Sequence, residues 1–224
     1  MEFQYQKDLD YALGIIEKNL DCFVDRYPHV SVNNVYSGEE NCLWTSSFYP
    51  GLCFLAYDVT GDAKFLRHEQ DYLKSFKHRV DHRIGISHDL GFLYTLSCVA
   101  NYKLTGSQKA REVAKKAAEV LAERYNEKGH YIQAWGEMGI GYPDVKIIID
   151  TMLNLPLLYW TGQEKYITIA ASHAQTAADY LIRPDYTSFH TYLMDPETGK
   201  AMEGKTHQGY RDDSTWARGI ISDR

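Results

Sequence analysis

The sequence predicts an all-α protein built from helical hairpins, and three observations lead to that fold class. Apolar residues recur at three- and four-residue spacing over most of the 224 residues, which is the period of an amphipathic helix. A motif of Tyr, then Thr-Gly-x-x-Lys, occurs three times along the chain. Alternating strand patterns of useful length are absent. Since repeated hairpins stack on one another, the chain is expected to form an open solenoid or a closed ring.

Seven segments carry the helical period. They are residues 9–24, 52–57, 65–80, 92–104, 110–125, 147–159 and 166–181. Residues 131–133 and 189–192 are the only stretches that favour short extended structure. The prediction is therefore about seven helices with little sheet.

The repeated motif marks the turn of each hairpin. Its copies contain Thr60-Gly61, Thr105-Gly106 and Thr161-Gly162. Glycine supplies the left-handed residue that ends a helix, and the next helix begins within a few residues. The opposite ends of the hairpins differ, because residues 126–146 and 183–215 are long and rich in Gly, His, Trp and charge. Long loops on one side of a helical scaffold are the expected place for a functional site.

Composition excludes several function classes. The chain is 44% hydrophobic and 24% charged, which is globular rather than disordered. Its 24 basic and 30 acidic residues give a net charge of −6 without a basic stripe, so a nucleic-acid partner is not expected. The first residues lack the pattern of a secretion signal, and no window is apolar enough to span a membrane. A cytoplasmic protein without a membrane partner is expected.

The cysteines are widely spaced within apolar or aromatic segments. They are Cys22, Cys42, Cys53 and Cys98. Their spacing contains no C-x-x-C pair, and nothing indicates an oxidising compartment. Reduced core thiols are therefore predicted.

Two aspartates stand out beside strongly apolar segments. Asp89 is at a predicted helix start, where it could simply be an N-cap. Asp150 directly follows three isoleucines. A carboxylate there is costly to ionise, which is one way a protein obtains a general acid near neutral pH. Structural hydrogen bonding of Asp150 to the backbone remains the alternative.

A metal site is not predicted. His78 and His82 have the i,i+4 spacing of zinc ligands, and His88 follows. A third ligand on the same face is missing, and basic side chains nearby repel a cation. These side chains are Lys77, Arg79 and Arg83.

Five segments, in order, resemble the unsaturated glucuronyl hydrolases of glycoside hydrolase family 88. They are HDLGFLY at 88–94, YIQAWG at 131–136, IIDTMLN at 148–154, FHT at 189–191 with DPETG at 195–199, and QGYRDDSTWARG at 208–219. The resemblance implies an (α/α) toroid of six hairpins, with residues 1–224 forming one catalytic domain. About seven of its twelve helices are accounted for, so a C-terminally truncated toroid is expected. Such a chain should be unstable, aggregated or rescued by self-association through its open faces.

The resemblance also implies a reaction. Family members remove the 4,5-unsaturated uronic acid that polysaccharide lyases leave at the non-reducing end of an oligosaccharide. Asp150 would protonate C4 of the C4=C5 vinyl ether and then, as carboxylate, take a proton from the water that attacks C5. Asp89 would hold sugar hydroxyls beside Asp150 and influence its charge. No metal or other cofactor is implied, and the partners are unsaturated uronate-terminated oligosaccharides.

The same resemblance assigns substrate contacts to seven side chains. They are Trp44, His88, Trp135, His190, Gln208, Trp216 and Arg218. Two other interpretations stay open. One is an unsaturated rhamnogalacturonyl hydrolase of family 105, and the other is an inactive truncated remnant that binds sugar. The preferred oligosaccharide is not specified by these residues.

Overall fold

The computed structural model describes residues 5–216, and α-helices are its main elements. The helices are α1 Gln6–Lys18, α2 Phe48–Thr60, α3 Glu69–Asp81, α4 Leu90–Tyr94, α5 Ala100–Thr105, α6 Gln108–Ala122, α7 Leu155–Trp160 and α8 Glu164–Leu181. A π-helical turn, Thr95–Val99, joins α4 to α5. Short 3₁₀ helices cover Ala63–Leu66 and Ile149–Leu153. The predicted helical architecture is confirmed.

All strand pairings in the described residues are antiparallel and short. The strands are β1 Ser31–Val32, β2 Val35–Tyr36, β3 Tyr125–Asn126, β4 Tyr131–Ile132, β5 Lys146–Ile148, β6 Thr191–Met194 and β7 Ala201–Lys205. Strands β5, β6 and β7 form a three-stranded sheet in that order, and the other four form two hairpins. The extended pieces predicted at 131–133 and 189–192 are confirmed in part by β4 and β6, whereas the three-stranded sheet was not predicted.

The helix predicted over residues 147–159 is wrong. That stretch begins as strand β5, continues as the 3₁₀ helix Ile149–Leu153 and becomes α-helical only at Leu155. Consecutive isoleucines favour a strand because β-branched side chains pack well on a sheet. Pro156 then stands in the first turn of α7, where a missing N–H costs nothing.

The three Thr-Gly repeats adopt the predicted turns. Gly61 and Gly106 end α2 and α5 in the left-handed conformation, and Gly162 after α7 has φ of 68°. In every copy the threonine hydroxyl accepts the backbone N–H two residues later. These bonds are Asp62 N to Thr60 Oγ1 at 3.1 Å, Ser107 N to Thr105 Oγ1 at 3.2 Å and Gln163 N to Thr161 Oγ1 at 3.1 Å.

The chain divides into two compact units. The first comprises Met1–Gly85 and Leu93–Ala114, and the second comprises Ile86–Phe92 and Lys115–Arg224. The expected single domain remains a prediction. In the second unit, the sheet and α8 share an apolar core. Its buried members are Tyr131, Val145, Ile147, Ile149, Ala177, Leu181 and Met194.

The first unit has its own core between α1 and α2. Ile16 and Leu20 pack there with Tyr49, Cys53 and Phe65. The opposite side of α2 is apolar and exposed. Its side chains, which we call the α2 stripe, are between 41% and 58% exposed. They are Phe48, Leu52, Leu55 and Val59.

The prediction of core thiols is half right. All four cysteines are free; Cys53 and Cys98 are buried, but Cys22 and Cys42 are exposed. Cys22 follows the end of α1 and Cys42 lies between β2 and α2, and apolar neighbours in sequence do not bury a residue in such connections. None of the described helices is both long and apolar enough to cross a bilayer.

Candidate active site

Two carboxylates of the second unit converge on one histidine. His88 Nε2 lies 3.3 Å from Asp89 Oδ1 and 3.5 Å from Asp150 Oδ1. The His88 side chain is 2% exposed, whereas those of Asp89 and Asp150 are 20% and 31% exposed. The imidazole therefore lies beneath two carboxylates that remain open to a ligand. Residues 61 positions apart in sequence thus form one site, as the family resemblance implies.

Backbone hydrogen bonds tie the segments of this site together. The His88 N–H donates to the Ala134 carbonyl at 2.7 Å, and the Ala134 N–H donates to the Lys146 carbonyl at 2.9 Å. The Ile149 N–H donates to the His190 carbonyl at 3.0 Å. Amide bonds in a continuous ladder fix the register of the strands they join. Backbone bonds therefore join the Asp150 turn directly to His190, and they join the Asp89 turn to strand β5, which leads into the Asp150 turn.

Each aspartate also has local support. Ser87 Oγ lies 2.9 Å from Asp89 Oδ2, and the Asp89 N–H donates to the same hydroxyl at 3.1 Å. Asp89 immediately precedes α4, in agreement with the predicted helix start. Asp150 is the second residue of its 3₁₀ helix. Both carboxylates therefore project from short, sharply defined turns rather than from long loops.

Arg124 is a buried cation that sequence reasoning missed. Its side chain donates from Nε to the Gln133 carbonyl at 2.9 Å and from Nη2 to the Gly136 carbonyl at 3.0 Å. Burial lowers the pKa of Arg124 to about 10, and the charge of Asp89 opposes that shift. A guanidinium at that pKa is charged at neutral pH, so it supplies positive potential that favours the carboxylate form of Asp89. No local motif distinguishes Arg124 from a surface arginine at the end of a helix.

The side chain of Gln133 fixes the loop that carries Trp135. Gln133 is buried, and its Nε2 donates to the carbonyls of Trp135 at 2.9 Å and Glu137 at 3.1 Å. The Trp135 ring is half-buried, with His207 at 5.2 Å and Lys146 Nζ at 5.5 Å from its centroid. A fixed aromatic ring with polar neighbours suits a stacking surface for a sugar.

His190 contacts the segment that carries Gln208 and Trp216. Its Nδ1 accepts the backbone N–H groups of His207 at 3.0 Å and Gln208 at 3.2 Å. Nδ1 therefore carries no proton, and the neutral ring has its hydrogen on Nε2. Trp216 stacks on the same ring with centroids 3.8 Å apart. Gln208 is exposed.

The predicted substrate contacts are placed unevenly. Trp135, His190, Gln208 and Trp216 all lie in the second unit with the two aspartates. Trp44 lies in the first unit, 40% exposed, with its ring 5.8 Å from that of Phe48. Arg218 lies outside the described residues. The burial of His88 favours a supporting role beneath the carboxylates, and its contact with a sugar stays a prediction.

His88, Asp89 and Asp150, which we call the trio, suit acid–base chemistry. Nδ1 of His88 is buried without a hydrogen-bond partner among residues 5–216, so the proton of a neutral ring belongs on Nε2, facing the two carboxylates. One ligand atom from each of His88, Asp89 and Asp150 lies within 4.8 Å of the others, so a single cation could also reach all three. Two adjacent carboxylates resist joint ionisation, which lets one act as a proton donor.

Comparison with known proteins adds a family to this geometry. Residues 15–220 match the profile described as Glycosyl Hydrolase Family 88. The chain is 42% identical over 225 residues to an unsaturated chondroitin disaccharide hydrolase of Streptococcus agalactiae serotype III (strain NEM316), spanning 97% of this chain and 56% of that protein. It is 41% identical over 221 residues to an unsaturated glucuronyl hydrolase of Bacillus sp. (strain GL1), spanning 96% of this chain and 59% of that protein.

The solved structures agree with the sequence relatives. The crystal structure of unsaturated glucuronyl hydrolase from the same Streptococcus species superimposes with a TM-score of 0.92 at 42% identity. The aligned part covers 98% of this chain and 56% of that one. The fold is therefore the one that the resemblance implies, and the chain spans little more than half the length of these relatives.

Proposed function

The chain belongs to Glycosyl Hydrolase Family 88, and from that membership we propose that it removes a 4,5-unsaturated uronic acid from the non-reducing end of oligosaccharides made by polysaccharide lyases. The chain spans 56% and 59% of the lengths of the two relatives named above. A match to family 88 supports this reaction over the rhamnogalacturonyl alternative.

One observation carries the proposal within this chain. Asp89 and Asp150 approach the same His88 nitrogen, and both carboxylates stay accessible. The arrangement brings two carboxylates and an imidazole together, so that one carboxyl can donate a proton while the other stays anionic. A purely structural role was the alternative left open for each aspartate. Such a role would not require Asp89 and Asp150 to lie beside each other.

The chemistry assigned to these groups begins at the double bond. Asp150 as a carboxylic acid transfers its proton to C4 of the C4=C5 vinyl ether. Positive charge develops at C5, and a water attacks that carbon while the Asp150 carboxylate accepts a proton from it. The product is a hemiketal at C5, which opens and releases the remaining sugar chain. Asp89 stays anionic, supported by the positive potential of Arg124, and accepts hydrogen bonds from sugar hydroxyls.

The side chains around the trio suit a uronate-terminated sugar. Trp135 offers a ring for stacking, and Lys146 beside it offers a cation for an acidic substituent. Gln208 and Trp216 complete this surface in the proposal, with His190 fixing both. The name of the Streptococcus relative favours a chondroitin disaccharide as the first substrate to test. A reducing cytoplasm is part of the same proposal and fits the four free thiols.

Loss of the ultraviolet absorbance of the C4=C5 chromophore tests the proposal directly. The 224-residue chain is incubated with unsaturated disaccharides prepared by lyase digestion of chondroitin, hyaluronan and heparin. Time-dependent loss of absorbance, with release of the second sugar, is expected for at least one of them. A folded chain that binds a disaccharide without consuming the chromophore would instead support the inactive sugar-binding remnant.

A further inference from the structure

A buried histidine that the proposed chemistry does not use lies directly behind the Asp150 turn. His173 is on α8 and is fully buried. Its Nδ1 accepts the backbone N–H of Ile132 at 3.1 Å, and its Nε2 contacts Thr151 Oγ1. Thr151 is itself buried and follows Asp150 in sequence. A single ring thus connects α8, strand β4 and the 3₁₀ turn of Asp150.

The contacts define the protonation state of this ring. A backbone amide can only donate, so Nδ1 of His173 carries no hydrogen. The ring must then be neutral, with its hydrogen on Nε2 donated to Thr151 Oγ1. Burial, aided by the charge of nearby His88, lowers the pKa of His173 to about 3. The hydrogen-bond geometry and the burial both keep the ring neutral. The contact between His173 and Thr151 is therefore unchanged across neutral pH.

The connection reaches both carboxylates. On one side the ring meets Thr151, adjacent to Asp150. On the other it meets Ile132, two residues before Ala134, whose carbonyl accepts the His88 N–H at 2.7 Å. His88 in turn precedes Asp89. The ring therefore bridges the two backbone segments whose separation sets the distance between the carboxylates.

We propose that His173 and Thr151 are positioning residues that hold the Asp150 carboxyl at its working distance from Asp89. The inference rests on the proposed function for its kinetic consequence. Neither side chain is accessible to a substrate, so removing their contact leaves the sugar-binding surface intact. Small displacements of a catalytic group lower the rate of the chemical step more than binding.

The first test compares two replacements of the same residue. Thr151→Val keeps the shape and removes the hydroxyl, whereas Thr151→Ser keeps the hydroxyl. We expect Thr151→Val to lower kcat by about 10- to 100-fold with KM within about threefold of the original, and Thr151→Ser to restore most of the rate. Thr176→Val is the matched control, because the Thr176 hydroxyl is a buried α8 group that donates to the His130 carbonyl at 2.8 Å. Thermal unfolding is measured for every variant.

A second variant separates the two halves of the connection. In His173→Asn the shorter amide can still accept the Ile132 N–H but cannot reach Thr151. It should lower kcat as much as Thr151→Val, and the double variant should lose no more than either single one, since both remove the same contact. His173→Asn also provides the kinetic test if Thr151→Val does not fold. Equal kcat in the original and the valine or asparagine variant, with only a lower melting temperature, would make the contact purely structural and overturn the proposal.

An activity-independent measurement keeps this inference distinct from the proposed function. The Asp150 carboxyl is followed by carbon-13 NMR during a pH titration of the original chain, Thr151→Val and Thr151→Ser. A shift of the titration midpoint by at least about half a pH unit in the valine variant alone supports positioning, since the midpoint depends on the distance to nearby charges. Superimposable curves would contradict it. If the original chain consumes no chromophore on any substrate, the proposed function fails while this titration still decides the role of the pair.

Discussion

The side-chain carbonyl of Asn154 accepts the backbone N–H of Phe92 at 3.1 Å. This bond joins the segment after Asp150 to the segment after Asp89. It forms where Gly91 brings α4 against the other backbone, since a Cβ on Gly91 would lie 2.2 Å from the Asn154 Cα. The approach of the two carboxylate-bearing turns therefore depends on the missing side chain at residue 91.

Gly91→Ala should separate these turns. The added methyl meets backbone atoms that cannot rotate away, so we expect destabilisation by about 1–3 kcal/mol or more, with loss of activity. Urea unfolding and the ultraviolet assay measure the two effects. Gly14→Ala in α1 is the control, because no atom lies within 4 Å of its added Cβ, and alanine in a helix interior should stabilise the chain by up to about 1 kcal/mol. Equal stability of Gly91→Ala and the original chain would contradict the close approach.

Asp150→Asn should remove the chemical step while preserving the fold. The amide has almost the same volume but can neither deliver the proton to C4 nor accept one from water. We expect kcat to fall by about 10²- to 10⁴-fold, with disaccharide binding retained in calorimetry. The exposed Asp179→Asn on α8 is the charge-matched control and should keep full activity. Asp150 would lose its assigned role if the asparagine variant kept more than about a tenth of the original turnover.

Saturated substrates should be inert. Protonation at C4 requires the C4=C5 double bond, whereas an ordinary glycosidase attacks the anomeric carbon and needs no unsaturation. A disaccharide and its saturated counterpart, differing only in that bond, are compared by chromatography of the released sugars. Release of glucuronic acid from the saturated compound would point to an anomeric mechanism and against hydration.

His173 should make the fold sensitive to acid. Its pKa is about 3 in the folded chain against 6.5 as the ordinary value, so between these pH values the unfolded chain binds a proton that the folded chain excludes. The free energy of unfolding therefore has its full value above pH 6.5, and it falls by at most about 5 kcal/mol as the pH drops toward 3. Unfolding free energies measured across this range should show a shallower slope in His173→Asn, while exposed His82→Asn should keep the original slope. Identical slopes in all three chains would contradict a buried neutral ring.

The α2 stripe should promote self-association. Its four apolar side chains recur at the spacing of one helical face and are 41% to 58% exposed, and contiguous apolar surface of this kind drives contact between copies. Sedimentation velocity over a range of concentrations should reveal species larger than one chain. Leu55→Gln should shift the distribution toward the monomer, whereas Lys109→Gln, elsewhere on the first unit, should not. A chain that stays monomeric at high concentration would rule out the contact.

Sequence reasoning predicted most of the helices, and it selected two aspartates that the fold brings together. The helical period gave α2, α3, α6 and α8, and the Thr-Gly motifs gave the turns, because both signals are local. The identification of Asp89 and Asp150 came from their apolar surroundings and the family resemblance. Residues 147–159 were misread because an apolar run has the same appearance in a buried strand and a buried helix.

The supporting residues of the site were not predictable in the same way. Arg124 acts through carbonyls of a loop that follows it, and only tertiary structure reveals that burial. His173 left a weak sign, since it stands at helical spacing among buried α8 residues such as Ala170 and Ala177. A polar residue on an apolar face needs a partner, but the sequence does not say which strand or turn provides it. The burial of His88 beneath the two carboxylates was not predicted either, because it depends on distant parts of the fold.

The amide ladder from His88 through Ala134 to Lys146, together with the Ile149–His190 bond, has a consequence for how the site comes into being. The same few backbone bonds position the two aspartates, the Trp135 loop and His190. None of these groups can therefore reach its position in the site while the others are still unfolded. Assembly of the site is therefore cooperative, and local opening at any one of these amides would dismantle the whole constellation. In a partly folded chain the two aspartates would be apart, and the site would be absent rather than weakened.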